Sequence, residues 1–280
     1  MNILLLVLFS IFGLIIGSFL NVVIFRLNTN KSLGGRSGCM SCLNKLSWFE
    51  LIPLFSFLGL RGRCRKCKTK ISIQYPLVEL VTGIFFALLF LKFSILVEKD
   101  IFIFAITYVY YAFMFSVLMV IAVYDLKHKI IPDKLAFVFG AFAFVGLFFF
   151  HSNGFSDVPD FYTRIPSILE FLSGILIALP FALLWLVSSG RWMGFGDAKL
   201  AIGIGWLLGL VSALSSLVVA FWSGAIVGIG LIVISRLSSS KIAKSNIISN
   251  MGMKSEIPFA PFLVLGVFLT FLFGLNLFGF

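Results

Sequence analysis

Two aspartates stand where long apolar runs of the sequence meet short polar segments, and paired carboxylates can do chemistry. Asp125 ends one apolar run, and Asp197 opens another. Two carboxylates held close together cannot both ionise, so such a pair shares one proton near neutral pH. The ionised member takes a proton from water, and the protonated member donates to a scissile carbonyl. The pair therefore predicts amide hydrolysis that needs neither a metal nor a covalent intermediate.

The residues around Asp197 fit such a site. Gly194 and Gly196 precede it, and without side chains they should let backbone and substrate approach the carboxylate and should tolerate positive φ. Lys199 follows two residues after Asp197 and belongs to the same supporting set. This part of the sequence therefore predicts a close approach between the chain and its substrate.

Simpler roles exist for both aspartates and stay open at this point. Asp197 could cap a helix N-terminus, where aspartate is a preferred residue. Asp125 could be an interfacial charge paired with Lys127 or Lys129. Asp133 is an alternative acid, but it follows a proline and has the character of a helix-start residue.

All four cysteines lie in one basic segment as two Cys-x-x-Cys pairs, Cys39 with Cys42 and Cys64 with Cys67. Four thiolates at such spacing suit a closed, tetrahedral and structural zinc site. The arginines and lysines around the second pair should lower the thiol pKa values. Disulfides would need an oxidising compartment, and free thiols would leave the paired spacing unexplained.

The composition places these residues in a membrane protein. Of the 280 residues 60% are hydrophobic and only 12% are charged, with a mean hydropathy of +1.12. The net charge of +11 would suggest nucleic acid in a soluble protein. In a membrane protein such charge is explained by topology, so we expect no nucleic-acid partner.

The apolar runs predict an all-α polytopic protein with about eight transmembrane helices. The uncharged stretch 200–234 would be about 52 Å long as one helix, too long for a single crossing, and we place a break near Ser212–Ser216. The first run lacks a cleavage-site pattern, so it is expected to be a retained helix. The predicted spans are 3–25, 76–97, 101–124, 135–151, 168–188, 200–214, 216–235 and 259–279.

The distribution of basic residues predicts which side each loop faces. With eight spans and the cysteine loop inside, 19 of the 22 Lys and Arg fall in inner segments. The inner segments are 26–75, 125–134, 189–199 and 236–258. Both termini are then outside, and both aspartates lie at the cytoplasmic ends of their helices.

Taken in order, the motifs of the chain resemble those of the bacterial type IV prepilin peptidases, which are intramembrane aspartic proteases and N-methyltransferases. The resemblance covers most of the chain. The matching segments are Gly17–Val22, the two cysteine pairs, Trp48–Pro53, Gln74–Leu80, Asp125 with Ile131–Asp133, Gly194–Leu200 and Ile257–Phe262.

The resemblance implies a bifunctional enzyme of the bacterial inner membrane. Such enzymes cut the basic leader, after a glycine, from type IV prepilins or from the pseudopilins of type II secretion. They then methylate the new N-terminus with S-adenosylmethionine. The family's catalytic pair corresponds to Asp125 and Asp197. The substrate keeps an apolar helix in the lipid bilayer and its leader in the cytoplasm.

The same resemblance suggests a division of the chain. It also implies that the metal ligands are Cys39, Cys42, Cys64 and Cys67. Residues 1–25 would be the first transmembrane helix, residues 26–75 a zinc-binding cytoplasmic loop linked to methylation, and residues 76–280 a seven-helix peptidase domain. No fingerprint assigns the S-adenosylmethionine contacts. Glu50 and Glu79 are candidates, because a carboxylate could hold a ribose or an amine.

Three residues depart from the family pattern, and two other functions remain alternatives. Leu51 stands where Asn is expected, Gln74 where Arg is expected, and Trp192 where Gly is expected. A cleavage-only peptidase, such as one acting on preflagellins, would generally lack the cysteine loop. An ion-coupled transporter would place its acids near the bilayer midplane and show an internal repeat.

Overall fold

The computed structural model describes residues 3–29, 32, 34–151, 160–161, 165–237 and 258–278. These residues form mainly helices, which confirms the predicted all-α class. The elements are α1 (Ile3–Arg26), a short 3-10 helix (Trp48–Leu51), α2 (Phe55–Gly59), α3 (Gln74–Lys99), α4 (Ile101–His128), α5 (Asp133–Gly146), β1 (Phe150–His151), β2 (Asp160–Phe161), α6 (Ile168–Ser188), α7 (Phe195–Leu208), α8 (Leu210–Leu237) and α9 (Ala260–Phe273). The two strands pair antiparallel.

Each of the eight predicted spans has a helix at its place, but the helices differ in length. Five of them, α1, α3, α4, α6 and α8, are long and apolar enough to cross a membrane. Helices α5, α7 and α9 have 14 residues each. A helix of that length rises about 21 Å, less than the hydrocarbon thickness of a bilayer. Much of the predicted inner segment 236–258 lies outside the described residues, as does Arg164.

The break in the long apolar stretch falls at Gly209, before the predicted position. Gly209 separates α7 from α8 with φ of 74° and ψ of 169°, a conformation that a residue without a Cβ adopts readily. The serines of the predicted break lie inside α8. Ser215 and Ser216 donate their hydroxyl protons to backbone carbonyls of the preceding turn, so they do not interrupt the helix. Gly209 is therefore the end of α7.

The chain divides into two compact units, and the first, Met1–Val120, is organised by the packing of α1 on α3. A Cβ added at Gly13 would lie 2.7 Å from the Cβ of Phe86, and one at Gly17 would lie 2.8 Å from the Cα of Glu79. Real Cβ atoms do not approach so closely. The two glycines, four residues apart on α1, therefore bring the backbones of α1 and α3 together, as small residues at this spacing commonly do.

The second unit, Ile121–Phe280, packs α7 between α5 and α6. A Cβ at Gly205 would lie 2.6 Å from the Cα of Gly174 in α6, and one at Gly203 would lie 2.5 Å from the ring of Phe139 in α5. Helices α8 and α9 meet in the same way at Gly266. The second half of α7 is therefore held closely on two sides.

Candidate active site and cysteine cluster

Asp125 lies in the last turn of α4 and is 5% exposed. Its Oδ2 atom accepts a hydrogen bond of 3.3 Å from the backbone N–H of Ala260, the first residue of α9. The first N–H groups of a helix have no partner within the helix, and the helix dipole favours negative charge there. The start of α9 therefore binds the Asp125 carboxylate.

Asp197 lies in the first turn of α7 and is 7% exposed. Gly194 is the N-cap residue of α7, so Asp197 is not the N-cap, although its carboxylate lies within hydrogen-bonding reach of the Gly194 backbone. The backbone N–H of Asp197 donates to the carbonyl of Gly194 at 3.2 Å. The Oδ1 atom of Asp197 is buried, and no hydrogen-bond donor within the described part of the chain reaches it. One oxygen of this carboxylate is thus free to accept a proton or a hydrogen bond from a bound molecule.

The fold brings Asp125 and Asp197 together. Both belong to the second unit, and Asp125 lies within electrostatic range of Asp197. Both are buried at helix ends. Two carboxylates in this arrangement have the elements of an acid–base pair.

The two glycines before Asp197 act by close approach and not by unusual backbone angles. Gly194 has φ of −74°, and Gly196 is helical, so neither glycine uses the positive φ that glycine tolerates. A Cβ at Gly196 would lie 2.9 Å from the Cβ of Ile131. A Cβ at Gly194 would lie 3.9 Å from the Oδ2 atom of Asp197, which is ordinary contact. Gly196 therefore sets the packing of this turn, and Gly194 leaves space beside the carboxylate.

Asp133 and Lys199 pair with each other at the surface. The Nζ atom of Lys199 lies 2.6 Å from Oδ1 of Asp133, and 75% of the Asp133 side chain is exposed. Asp133 is the first residue of α5, as its position after a proline predicted. The Lys199 ammonium also lies 5.3 Å from the ring centroid of Phe195. Asp133 thus has the environment of a surface ion pair, and Asp125 that of a buried acid.

The four cysteines form one cluster in the first unit. Their sulfur atoms all lie within 4.8 Å of one another, and the Sγ atoms of Cys39 and Cys67 are 3.7 Å apart. Tetrahedral zinc with Zn–S bonds of about 2.3 Å holds its sulfurs about 3.8 Å apart. The donor set and its spacing therefore fit a metal ion with four thiolate ligands.

Both cysteine pairs adopt the same turn. The N–H of Cys39 donates to the carbonyl of Asn44, and the N–H of Cys64 donates to that of Thr69. The residue after each second cysteine has positive φ; these residues are Leu43 and Lys68. Hydrogen bonds with the Thr69 hydroxyl and backbone lower the pKa of the Cys67 thiol to about 6. The repeated turn points two sulfurs from each pair to a common centre.

The two glutamates proposed for the methyl donor have different environments. The Oε2 atom of Glu50 accepts hydrogen bonds from the hydroxyl and the backbone N–H of Ser47 and caps the short 3-10 helix. These bonds lower the pKa of Glu50. Glu79 lies in α3, is 8% exposed, and accepts a 2.9 Å hydrogen bond from the N–H of Leu54. Glu50 is accounted for as a capping residue, whereas the burial of Glu79 is not explained by a cap.

Sequence reasoning missed the partners of these acids. Ala260 lies in the segment Ile257–Phe262, which the sequence analysis relates to the family but not to Asp125. A signal was available, because Pro261 at the second position of α9 is typical of a helix start. No signal in the sequence pairs Ile131 with Gly196, since this contact forms between distant segments.

Comparisons with known proteins find matches along most of the chain. Residues 11–93 match the family model described as Bacterial Peptidase A24 N-terminal domain, and residues 112–229 match the Type IV leader peptidase family. The four cysteines fall in the first range, and the two aspartates fall in the second. No solved structure matches the chain.

Three similar proteins bear the name prepilin leader peptidase/N-methyltransferase. The protein of Myxococcus xanthus is 36% identical over 228 residues, which cover 79% of this chain and 63% of that protein. The protein of Bacillus subtilis is 29% identical over 272 residues, covering 96% and 95%. The protein of Aeromonas hydrophila is 32% identical over 300 residues, covering 94% and 89%.

Proposed function

This chain belongs to the type IV leader peptidase family, and on that premise we propose that Asp125 and Asp197 cleave the leader peptide from prepilins. The same enzyme then N-methylates the new N-terminus, in keeping with the names of its relatives. The observation that carries the proposal is the pair of buried acids within electrostatic range, one bound by the start of α9 and the other with a free oxygen.

In the proposed cleavage, water adds to the carbonyl carbon of the scissile bond. One aspartate is ionised and takes a proton from the water, while the other is protonated and donates to the carbonyl oxygen. The carbon–nitrogen bond then breaks, and the leaving amine takes a proton from the pair. The pair titrates as one unit, so the roles belong to the pair and not to one residue.

The position of the acids supports a cut at the membrane surface of the inner membrane. Asp125 lies in the last turn of α4 and Asp197 in the first turn of α7, so both acids lie at helix ends and not at a bilayer midplane. We place this end on the cytoplasmic side, where the basic segments of the chain also fall. A prepilin or pseudopilin with an apolar N-terminal helix would reach the pair by lateral entry from the bilayer. Acids at helix ends also disfavour an ion-coupled transporter.

The cysteine cluster and the methyl donor belong to the second activity. Cys39, Cys42, Cys64 and Cys67 would hold a structural zinc that fixes the loop 26–75 beside the first helix, residues 1–25. The peptidase domain is residues 76–280. S-adenosylmethionine supplies an electrophilic methyl group when bound. Of the two carboxylates considered as contacts for S-adenosylmethionine, Glu79 fits and Glu50 does not. The Glu50 side chain already accepts hydrogen bonds from Ser47.

Cleavage of a synthetic prepilin by the full chain in detergent tests the proposal. Asp125→Asn and Asp197→Asn should each lower cleavage by about 10²–10⁴-fold while leaving expression and helix content unchanged. Asp133→Asn is the matched control, because it removes an exposed aspartate near Asp125 and should leave cleavage intact. Normal cleavage by Asp125→Asn or Asp197→Asn, or loss of cleavage in Asp133→Asn alone, would contradict the assignment.

A further inference from the structure

The seam between α1 and α3 holds a buried carboxylate that the cleavage reaction does not use. Glu79 faces α1 where Gly17 brings the two backbones together. Its Oε2 atom accepts the N–H of Leu54, and the Ser18 hydroxyl lies within hydrogen-bonding reach. A carboxylate offers about four lone-pair positions, so acceptor capacity remains. Within the described residues no basic side chain pairs with Glu79.

Two further polar atoms near the start of α3 lack partners. Asn21 is 1% exposed, and its side-chain amide donates to the carbonyl of Tyr75 at 3.1 Å, one turn before Glu79. The Oδ1 atom of Asn21 is buried, and none of the described residues donates to it. The Nε2 atom of Gln74 is also buried, with no acceptor in the described part of the chain. Buried polar atoms without partners are rare and point to a bound molecule or a functional role.

The loop above this seam has an unusual backbone conformation. Leu54 has φ of 59° and ψ of −50°, and the N–H of Phe55 donates to the carbonyl of Pro53 at 2.6 Å. These features define a γ-turn with positive φ, which is rare and strained for a residue with a branched side chain. The turn points the N–H of Leu54 at Glu79. Strained backbone of this kind clusters at ligand sites.

We propose that Glu79, Asn21 and Gln74 bind the amino-acid end of the methyl donor. Glu79 and the Oδ1 atom of Asn21 supply acceptors for an ammonium group, which has three donors and no acceptor. The Nε2 atom of Gln74 supplies a donor for the adjacent carboxylate. An ammonium with a neighbouring carboxylate is the α-amino-acid group of S-adenosylmethionine. The N-terminal amine of a processed prepilin lacks that carboxylate and fits these three side chains less well.

This proposed binding site for S-adenosylmethionine rests on the proposed methyltransferase function. All three residues belong to the first unit, whereas Asp125 and Asp197 belong to the second. Substitutions at the proposed site should therefore change methyl-donor binding without changing cleavage.

Equilibrium binding of two nucleosides to the full chain in detergent tests the proposal. S-adenosylhomocysteine has the amino-acid end, and methylthioadenosine lacks it. Glu79→Gln keeps an acceptor for Leu54 but removes the charge, and it should weaken S-adenosylhomocysteine binding by about tenfold or more while leaving methylthioadenosine binding unchanged. Glu50→Gln is the matched control and should change neither. Prepilin cleavage by each variant reports that it is folded.

Several results would overturn the proposal. Unchanged S-adenosylhomocysteine binding by Glu79→Gln would do so, and so would equal affinities of the two nucleosides for the wild type. If Glu79→Gln does not fold, Gln74→Leu gives the second test and should weaken S-adenosylhomocysteine binding several-fold. A Glu79→Gln enzyme with normal nucleoside binding but a raised KM for the cleaved peptide would assign the site to the peptide amine instead. A wild type that cleaves prepilin but binds neither nucleoside would reject the site and leave the peptidase assignment intact.

Discussion

The cysteine cluster and the aspartate pair are built in different ways. Each cysteine pair is shaped by a turn of six residues whose hydrogen bonds lie within the turn, as between Cys64 and Thr69. Asp125 and Asp197 are 72 residues apart and meet only because helices pack around them. A locally shaped site survives changes elsewhere in the chain, whereas a site made by packing depends on residues that touch no substrate.

Removal of the cysteine cluster should give the largest difference between the two regions. Zinc binding and methyl transfer should be lost while prepilin cleavage is retained. Cys39→Ser with Cys64→Ser removes two of four thiolate ligands, so bound zinc should fall from about one per chain to none. Methyl transfer should be lost with it, because the loop loses its fixed shape. Prepilin cleavage should stay within about threefold of the wild type, since no cysteine lies in the second unit. Metal analysis and the two activity assays check this result.

Loss of cleavage in that double variant would show that the two regions are coupled and do not function independently. A wild type without bound metal would reject the zinc site. Cys39→Ala with Cys64→Ala serves as a control for the serine hydroxyls and should behave in the same way.

A methyl group added at Gly196 should displace Asp197 and lower cleavage, although Gly196 itself has no catalytic group. In Gly196→Ala the new Cβ would lie 2.9 Å from the Cβ of Ile131, so the turn that carries Asp197 must shift. Misplacement of a catalytic group by about 1 Å can lower the rate about 100-fold. Cleavage should fall by about that factor, while zinc content should not change.

Two further variants make the Gly196 prediction specific. Gly140→Ala is the matched control in α5, because a Cβ there meets nothing within 4 Å, and it should leave cleavage unchanged. Adding Ile131→Gly to Gly196→Ala removes the Cβ that the new methyl group would meet and should restore part of the rate. Full activity of Gly196→Ala would show that the packing at Ile131 does not position Asp197.

Loss of the surface ion pair between Lys199 and Asp133 should have the smallest effect on cleavage and stability. Lys199→Gln removes the partner of Asp133 at an exposed position, where such pairs contribute about 1 kcal/mol or less. The free energy of unfolding should change by no more than that amount, and the effect should shrink in high salt. Cleavage should remain close to that of the wild type. A large loss of cleavage would instead give Lys199 a direct role beside Asp197.

The sequence predicts what depends on local pattern and misses what depends on tertiary partners. Apolar runs locate the eight helices of 14 residues or more in the described part of the chain, and Cys-x-x-Cys spacing predicts the cysteine cluster. The helix break was misplaced at the serines because their hydroxyls bond within α8, while Gly209 alone has the required positive φ.

The same limit applies to the candidate site. Asp125 and Asp197 could be chosen from their places at the ends of apolar runs. The N–H of Ala260 that binds Asp125 could not be predicted from the sequence, because it belongs to a helix start 135 residues away. Glu50 and Glu79 look alike in sequence, and only the structure separates the capping residue from the buried carboxylate.

The central claim is that Asp125 and Asp197 act as one catalytic unit, and a double-mutant cycle on prepilin cleavage tests it most directly. Residues that work as one unit give non-additive losses. The two single Asn variants and the double variant should therefore have the same residual rate, about 10²–10⁴-fold below the wild type. A double variant whose loss equals the product of the two single losses, or a single variant with normal cleavage, would contradict the account.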